Sequence, residues 1–390
     1  MKKVLIYKSE TDLSPTGGPN GYLYNFNKGY SRIKQEYDDI EIAFMPRYNK
    51  KAIRVKVICF LKKHFKKTAF RYYINSILKD KAKSVQIPDI DKYDIIHFHS
   101  TIDYYLCRKQ LHDFRGKVVV TSHSPMPAHQ ELVDYLRMSK QSDVDALRKR
   151  LEVIDIFAFD NADYIIFPCE EAEECYYNAW DKYKEIKARN KDKYIYIPTG
   201  IEKVQTNEER SKTREKYGIP KSKFIICYAG RHNEVKGYDS LKRIGKYSIS
   251  KDKDLFFVIA GEESPISGLK NTNWVELGWT NNVYNIINSA DVFVLPNKQT
   301  YFDLIMLEAL SIGIPVVATS TGGNKYFKSI KESGIFFYEY DNTDGFYKTI
   351  EKIKKMDLEE IRALNKKVFE KNFTADVFAR KYIEVYKKIS

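Results

Sequence analysis

The chain has 390 residues, 43% of them hydrophobic, and a formal net charge of +14 at pH 7. The length points to two domains of roughly 150–200 residues each, and the apolar content excludes a disordered chain. The five scattered cysteines (Cys59, Cys107, Cys169, Cys175 and Cys227) form no CxxC or Cys/His cluster, which argues against a disulfide framework or a zinc site and fits a reducing, cytoplasmic compartment.

The chain begins "MKKVLIYKSE", two lysines ahead of a short apolar run. That core is too short for a secretion signal, and no later run is long enough to span a bilayer. "KVLIY" reads as a strand. A Gly/Pro-rich loop, "SETDLSPTGGPNGY", follows it, and then the pattern turns helical. Between Lys50 and Lys83 stand twelve Lys or Arg and one Asp, a local balance of +11. The remainder is close to neutral, which argues against a diffuse nucleic-acid-binding surface. Within this segment Ile53, Val57, Phe60, Leu61 and Phe65 share one side of a helix, with lysines elsewhere. Such a helix suits an anionic membrane surface. It equally suits a solvated helix whose apolar stripe packs on the amino-terminal sheet.

Four compact apolar runs come next: "YDIIHFHS", "KVVVTSHSP", "ADYIIFPCE" and "KYIYIPTGI". Continuous apolar runs separated by helix-length stretches mean strands buried on both faces of a parallel sheet. "HFH" places His97 and His99 on one face, but no third metal ligand is near in sequence, so a cleft-lining or structural role is the better reading. After a charged connection the pattern restarts with "FIICYAGRHNEVKG", "LFFVIAGEES", "NWVELGW", "ADVFVLPN" and "IPVVATSTGG". The expected fold is α/β with two doubly wound domains, residues 1–200 and 201–373, facing a central cleft. The final helix, 374–390, is helical by spacing. Ligands bind at the carboxyl ends of such sheets.

In "YAGRHNEVKG" a strand ends at Gly230, Arg231 follows, and Lys236 precedes a helix. Two cations beside a helix amino terminus make a candidate anion site. Glu308, inside a helix expected from Phe302 to Gly313, offers a carboxylate that could take two vicinal hydroxyls, as on a ribose.

In this order, "AGR…VKG", "VIAGEE", "VELGW", "ADVFVLPN" and "TYFDLIMLEALSIGIPVVATSTGG" resemble glycosyltransferase family 4, retaining nucleotide-sugar enzymes of the GT-B fold. "DIIHFHS", "VVVTSHSP", "ADYIIFPCEEAEE" and "IPTGIE" extend the resemblance over nearly the whole chain. It implies that Arg231 and Lys236 hold the donor diphosphate and that Glu308 binds the nucleotide ribose. His123 would sit beside the transferred sugar. The loop of Gly17 and Gly18 would approach the phosphates and acceptor, Gly230 would lie at the donor, and the backbone around Phe302, Asp303 and Leu304 would contact sugar or diphosphate. It further implies a UDP-linked donor, no metal or other cofactor, and a last helix that crosses back onto the first domain. The expected reaction transfers the sugar to a hydroxyl of a glycan or lipid-linked acceptor in envelope or exopolysaccharide synthesis. The departing phosphate would accept the acceptor's proton, and the enzyme would be cytoplasmic, held peripherally at the inner face of the membrane. One departure stands out. The family's usual Glu eight residues before Glu308 is Thr300 here, and its Gly-Phe-Gly is Tyr301-Phe302-Asp303. Thr300 or Asp303 would then take the sugar contacts. The alternative is a catalytically silent relative that binds glycan or stabilises a partner enzyme. Asp155, Asp160 and Glu152 read as helix-surface residues.

Overall fold

A computed structural model describes residues 1–8, 13–15, 18–45 and 66–389. Gly17 and the apolar stripe from Ile53 to Phe65 lie outside the described residues.

Twelve strands form two six-stranded sheets among the described residues. The first contains β1 (Lys2–Tyr7), β2 (Ile40–Phe44), β3 (Ile95–Phe98), β4 (Lys117–Thr121), β5 (Tyr164–Phe167) and β6 (Tyr194–Tyr196), in the order β2-β1-β3-β4-β5-β6. The second contains β7 (Phe224–Ala229), β8 (Leu255–Ala260), β9 (Trp274–Glu276), β10 (Val292–Leu295), β11 (Val316–Thr319) and β12 (Ile335–Tyr338), in the order β12-β11-β10-β7-β8-β9. Every neighbouring pair is parallel. β2 and β12 are missing from the sequence reading, and both are edge strands.

Side chains alternate between two cores in each half, which is why the strand sequences are apolar throughout. Leu5, Tyr7, Ile96, Phe98, Val118 and Val120 enter one core of the first sheet. Val4, Ile6, Ile95 and Val119 enter the other. In the second sheet Cys227, Val258, Phe293 and Val316 face one way, and Ile226, Phe257, Val292 and Val317 the other.

The chain passes between the halves twice, at one place. Ile201 N–H donates to the Phe373 carbonyl at 2.8 Å, and Ala375 N–H donates to the Ile201 carbonyl at 2.9 Å. Thr374 then caps the last helix, Ala375–Lys388, by accepting from Val377 N–H at 3.3 Å. This helix lays Phe378, Ala379, Tyr382, Ile383 and Tyr386 into the amino-terminal core with Ile6, Leu23 and Phe26. It runs against the Gly18–Ile33 helix, and the contact depends on Gly29 having no side chain. A Cβ there would lie 2.0 Å from the Ala375 carbonyl oxygen.

In the described part of the basic segment, the Lys66–Leu78 helix buries Ile74 and Ile77 against Leu132, Val133 and Leu136. Lys67, Arg71 and Tyr72 are exposed. The apolar side of this helix therefore packs on protein and its charged side faces solvent. No helix among the described residues is long and apolar enough to cross a membrane.

Gly29→Val is expected to push the last helix off the first and cost about 3 kcal/mol, the upper end for overpacking, because the obstacle is backbone. Lys28→Ala, on the exposed side, should stay within about 0.5 kcal/mol. The urea midpoints of the two variants check this.

Candidate active site

The carboxyl ends of both sheets meet around the segment Gln299–Asp303. Tyr301 crosses the gap: its hydroxyl donates to the Ser122 carbonyl at 2.5 Å, and its ring lies 5.9 Å from that of Phe167. Gln299 Nε2 reaches the Pro125 carbonyl at 3.3 Å, and Cys175 Sγ donates to the Thr300 carbonyl at 3.3 Å. Glu174 accepts from Gly322 N–H at 3.0 Å and pairs with Lys325. The glycine pair after β11 follows from this: a Cβ on Gly322 or Gly323 would fall 2.0 or 1.9 Å from the carbonyl oxygens of Thr300 and Tyr301.

Between the halves lies a crevice of about 50 Å³, lined by Gly18, Tyr22, Thr121, His123, Thr199, Tyr301, Phe302 and Leu304. The structure thus brings Gly18, His123, Phe302 and Leu304 together from opposite halves. In this arrangement the space fits a water or two, at about 30 Å³ each, and not a nucleotide. A larger hollow of about 850 Å³ sits by Lys2, Asp94, Arg115 and Lys117, at the amino ends of β1, β3 and β4. We place the site at the crevice, because ligands of such sheets bind at the carboxyl ends.

Lys236 precedes the Tyr238–Lys251 helix. Its Nζ lies 2.7 Å from Asp303 Oδ1, and the other Asp303 oxygen accepts from Asn297 Nδ2 at 2.8 Å. Asn297 is buried. Gly237, at φ +69°, makes the turn into the helix, and a Cβ there would lie 1.7 Å from the Pro296 carbonyl oxygen. Asp303 occupies the N-cap position of the Leu304–Ile312 helix but makes no side-chain cap bond. The N–H groups of Leu304 and Ile305 have no acceptor among the described residues. Two open donors and a nearby ammonium are the elements of an anion site.

Glu308 lies one turn further along the same helix. Tyr284 O–H donates to its Oε1 at 3.0 Å. Burial raises its pKa, the Tyr284 bond opposes the rise, and the Asp303 charge adds to it. Gly230 continues β7, its N–H donating to the Ala260 carbonyl at 3.0 Å. Arg231 is not drawn into the cluster. It is exposed, and its guanidinium has no partner among the described residues. Thr300 is buried, and its hydroxyl has no partner among the described residues.

The three histidines form one array, with His97 and His99 buried and His123 half-buried. His97 contacts Tyr386 O–H at 2.6 Å and Thr121 Oγ1 at 2.8 Å. His99 Nδ1 and His123 Nε2 share a bond of 2.8 Å. Burial pushes the His123 pKa down to about 3, and the charge of Lys8 adds to the shift. Burial also holds His97 and His99 well below the ordinary histidine value. The shifts favour the neutral imidazole in all three, and of the three only His123 lines the crevice. No group of three or more metal-ligating side chains occurs among the described residues.

One reading is corrected. Asp155 is fully buried, not on a helix surface. Its carboxylate accepts from Thr101 O–H at 2.9 Å and from the N–H groups of Ala128 and His129 at 3.2 and 2.9 Å, and it meets His129 Nδ1 at 2.8 Å. It caps the Ala128–Leu136 helix from a distant part of the chain, a bond no local pattern announces. Glu152 and Asp160 are paired with Lys182 and Arg189. Tyr284 and Asn297 are the neighbours that sequence reasoning missed: Tyr284 comes from the preceding helix, and Asn297 from the same loop at a separation of no regular period.

Histidines held neutral in the fold take up protons when the chain unfolds. Stability is therefore expected to fall as the pH drops below about 6.5, by up to about 4 kcal/mol per pH unit if all three act. Urea unfolding at pH 7, 6 and 5 checks this. A raised Glu308 works the other way, since its stabilising contribution is lost as pH rises through its folded pKa. Glu308→Gln should be at least as stable as the parent at pH 7, with the difference shrinking towards the ordinary carboxylate range.

A family profile described as "Glycosyl transferases group 1" matches residues 209–371. The chain is 26% identical over 298 residues to the UDP-Gal:alpha-D-GlcNAc-diphosphoundecaprenol alpha-1,3-galactosyltransferase of Escherichia coli, covering 71% of each chain. It is 27% identical over 256 residues to a D-inositol 3-phosphate glycosyltransferase of Arthrobacter sp. (strain FB24), covering 60% of this chain and 55% of that one. Sucrose-phosphate synthase from Thermosynechococcus elongatus superposes with a TM-score of 0.63 at 17% identity, over 100% of this chain and 99% of that one. The superposition shows the fold, and the matched profile and the relatives' names support glycosyltransferase activity. The matched stretch, residues 209–371, resembles the glycosyl transferases group 1 profile, and the chain has the two-sheet GT-B fold.

Proposed function

We propose that the protein transfers a glycosyl unit, with retention, from a nucleoside diphosphate sugar to a hydroxyl of a glycan or lipid-linked acceptor. The observation that carries this reading is the convergence on one crevice of Gly18 and His123 from one half with Phe302 and Leu304 from the other, beside Lys236 and the open N–H groups of Leu304 and Ile305. In this reading residues 201–373 bind the donor and residues 1–200 the acceptor. Lys236, Arg231 and the helix start stabilise the leaving diphosphate, a purely electrostatic task that needs no metal. Glu308 takes the ribose hydroxyls, and neutral His123 hydrogen-bonds the transferred sugar. Tyr301 and Thr300 would have to move for the donor to enter, since the crevice is narrow, and closure around the donor would exclude water.

UDP is the donor nucleotide we favour, because the Escherichia coli relative is named for UDP-Gal, and its named acceptor is a sugar on diphosphoundecaprenol. A lipid-linked acceptor also suits the exposed Lys67, Arg71, Lys79, Lys81 and Lys83 with Tyr72. Each cation near an anionic leaflet adds about 1 kcal/mol of attraction, and tyrosine favours the interface. The protein would then work at the inner face of the membrane in envelope or exopolysaccharide synthesis.

The test is nucleotide release from a panel of UDP-sugars, with and without lipid-linked and soluble acceptors. Release should depend on acceptor and be unaffected by EDTA. Arg231→Ala and Lys236→Ala should each lower turnover by about 10²–10³-fold, as for other preorganised anion sites. No release with any donor, together with no nucleotide binding by calorimetry, would end the reading.

A further inference from the structure

Lys236 does not wait unpaired. Its ammonium is 2.7 Å from Asp303, with the two side chains 34% and 16% exposed. Asp303 is itself anchored: its second oxygen accepts from Asn297 Nδ2 at 2.8 Å, and Asn297 is 1% exposed. Both carboxylate oxygens are therefore turned to these two donors, and neither turns back to cap the helix that Asp303 begins. A free carboxylate in this position normally bonds the second or third N–H of its helix. Here Leu304 and Ile305 keep their N–H groups open, and Met306 N–H is satisfied by the Asp303 carbonyl at 3.1 Å. The arrangement places an internal anion on the cation, and leaves uncapped the donors that would face a second anion.

We propose that Asp303 is an internal counter-anion, which the donor's diphosphate displaces from Lys236 and which takes Lys236 back as the nucleoside diphosphate departs. The inference rests on reading this cluster as the donor site. Its physical content is an exchange of partners. In the empty site the Lys236 charge is balanced and the site is not a strong trap for any anion. A diphosphate brings more charge than one carboxylate, and it can also engage the open N–H groups of Leu304 and Ile305, which Asp303 does not use. It therefore wins the exchange, but by a reduced margin. The reduced margin weakens the hold on the product, and product release limits turnover in many enzymes.

Calorimetric binding of UDP, GDP and ADP to the full chain tests this, with the tightest nucleotide carried forward and its nucleoside as a phosphate-free control. Asp303→Asn keeps the shape and removes the charge, and Asp303→Ser is the second variant should the first lose its fold. The expected result is binding about 5- to 20-fold tighter in the variant, around the lower end for one hydrogen bond to a charged group, with the nucleoside unchanged. In a Lys236→Ala background the same change should gain less than about twofold. Equal or weaker binding by both Asp303 variants, with the parent still binding nucleotide, would overturn the exchange and leave the donor-site reading standing. A full gain retained without Lys236 would also overturn it, since plain repulsion would then suffice. No binding of any nucleoside diphosphate by parent or variants would overturn both.

Discussion

A single hydroxyl holds the two halves in register at their most sensitive point. Tyr301 projects from the second half and donates to the carbonyl of Ser122, one residue before His123. Gln299 to Pro125, Cys175 to Thr300, and Glu174 to Gly322 and Lys325 carry the rest of the junction. The Thr300 carbonyl accepts from Cys175 and from Gly323 N–H, and Phe302 packs on Phe327 with ring centroids 5.4 Å apart. Apart from Arg231 and Gly230, the groups assigned to the donor on the second half are attached to this segment or lie directly behind it. Asp303 and the Leu304–Ile312 helix continue it, Lys236 is tied to it, and Glu308 follows within two turns.

The two sheets were legible because burial on both faces leaves an unmistakable trace. β3, β4, β5, β7, β8, β10 and β11 are apolar on successive residues, since one alternate set enters each core. β2 and β12 were not legible. Each is an edge strand with a neighbour on one side only, and β2 carries the exposed Glu41 among its apolar residues. The residue types of the site were legible from their place at strand ends and helix starts. Their partners were not. Nothing in the sequence ties Tyr284 to Glu308, Asn297 to Asp303, or Asp155 to the start of the Ala128–Leu136 helix. The first and last join elements whose separation in the chain is set by the fold, and Asn297 and Asp303 share a loop at a spacing that matches no local period.

The site collects groups that the fold alone would not favour. Glu308 is a carboxylate lifted by burial and steadied by one phenol. His97, His99 and His123 are imidazoles held neutral. The Thr300 hydroxyl is buried without a partner among the described residues. Unpaired or perturbed polar groups cost stability, and their concentration at the meeting of two sheets is the mark of a surface shaped for a ligand. The surrounding cores are apolar and alternate cleanly.

The return of the last helix to the first half has a consequence for how the chain acquires its shape. Phe378, Tyr382 and Tyr386 complete the core over Ile6 and Phe26, yet more than three hundred residues separate them from those partners. Part of one face of the first sheet must therefore stay uncovered while the ribosome makes everything between, including the whole second sheet. The half synthesised first is the last to be finished, and a nascent chain stalled before residue 375 presents a bare aromatic surface to chaperones and to other chains.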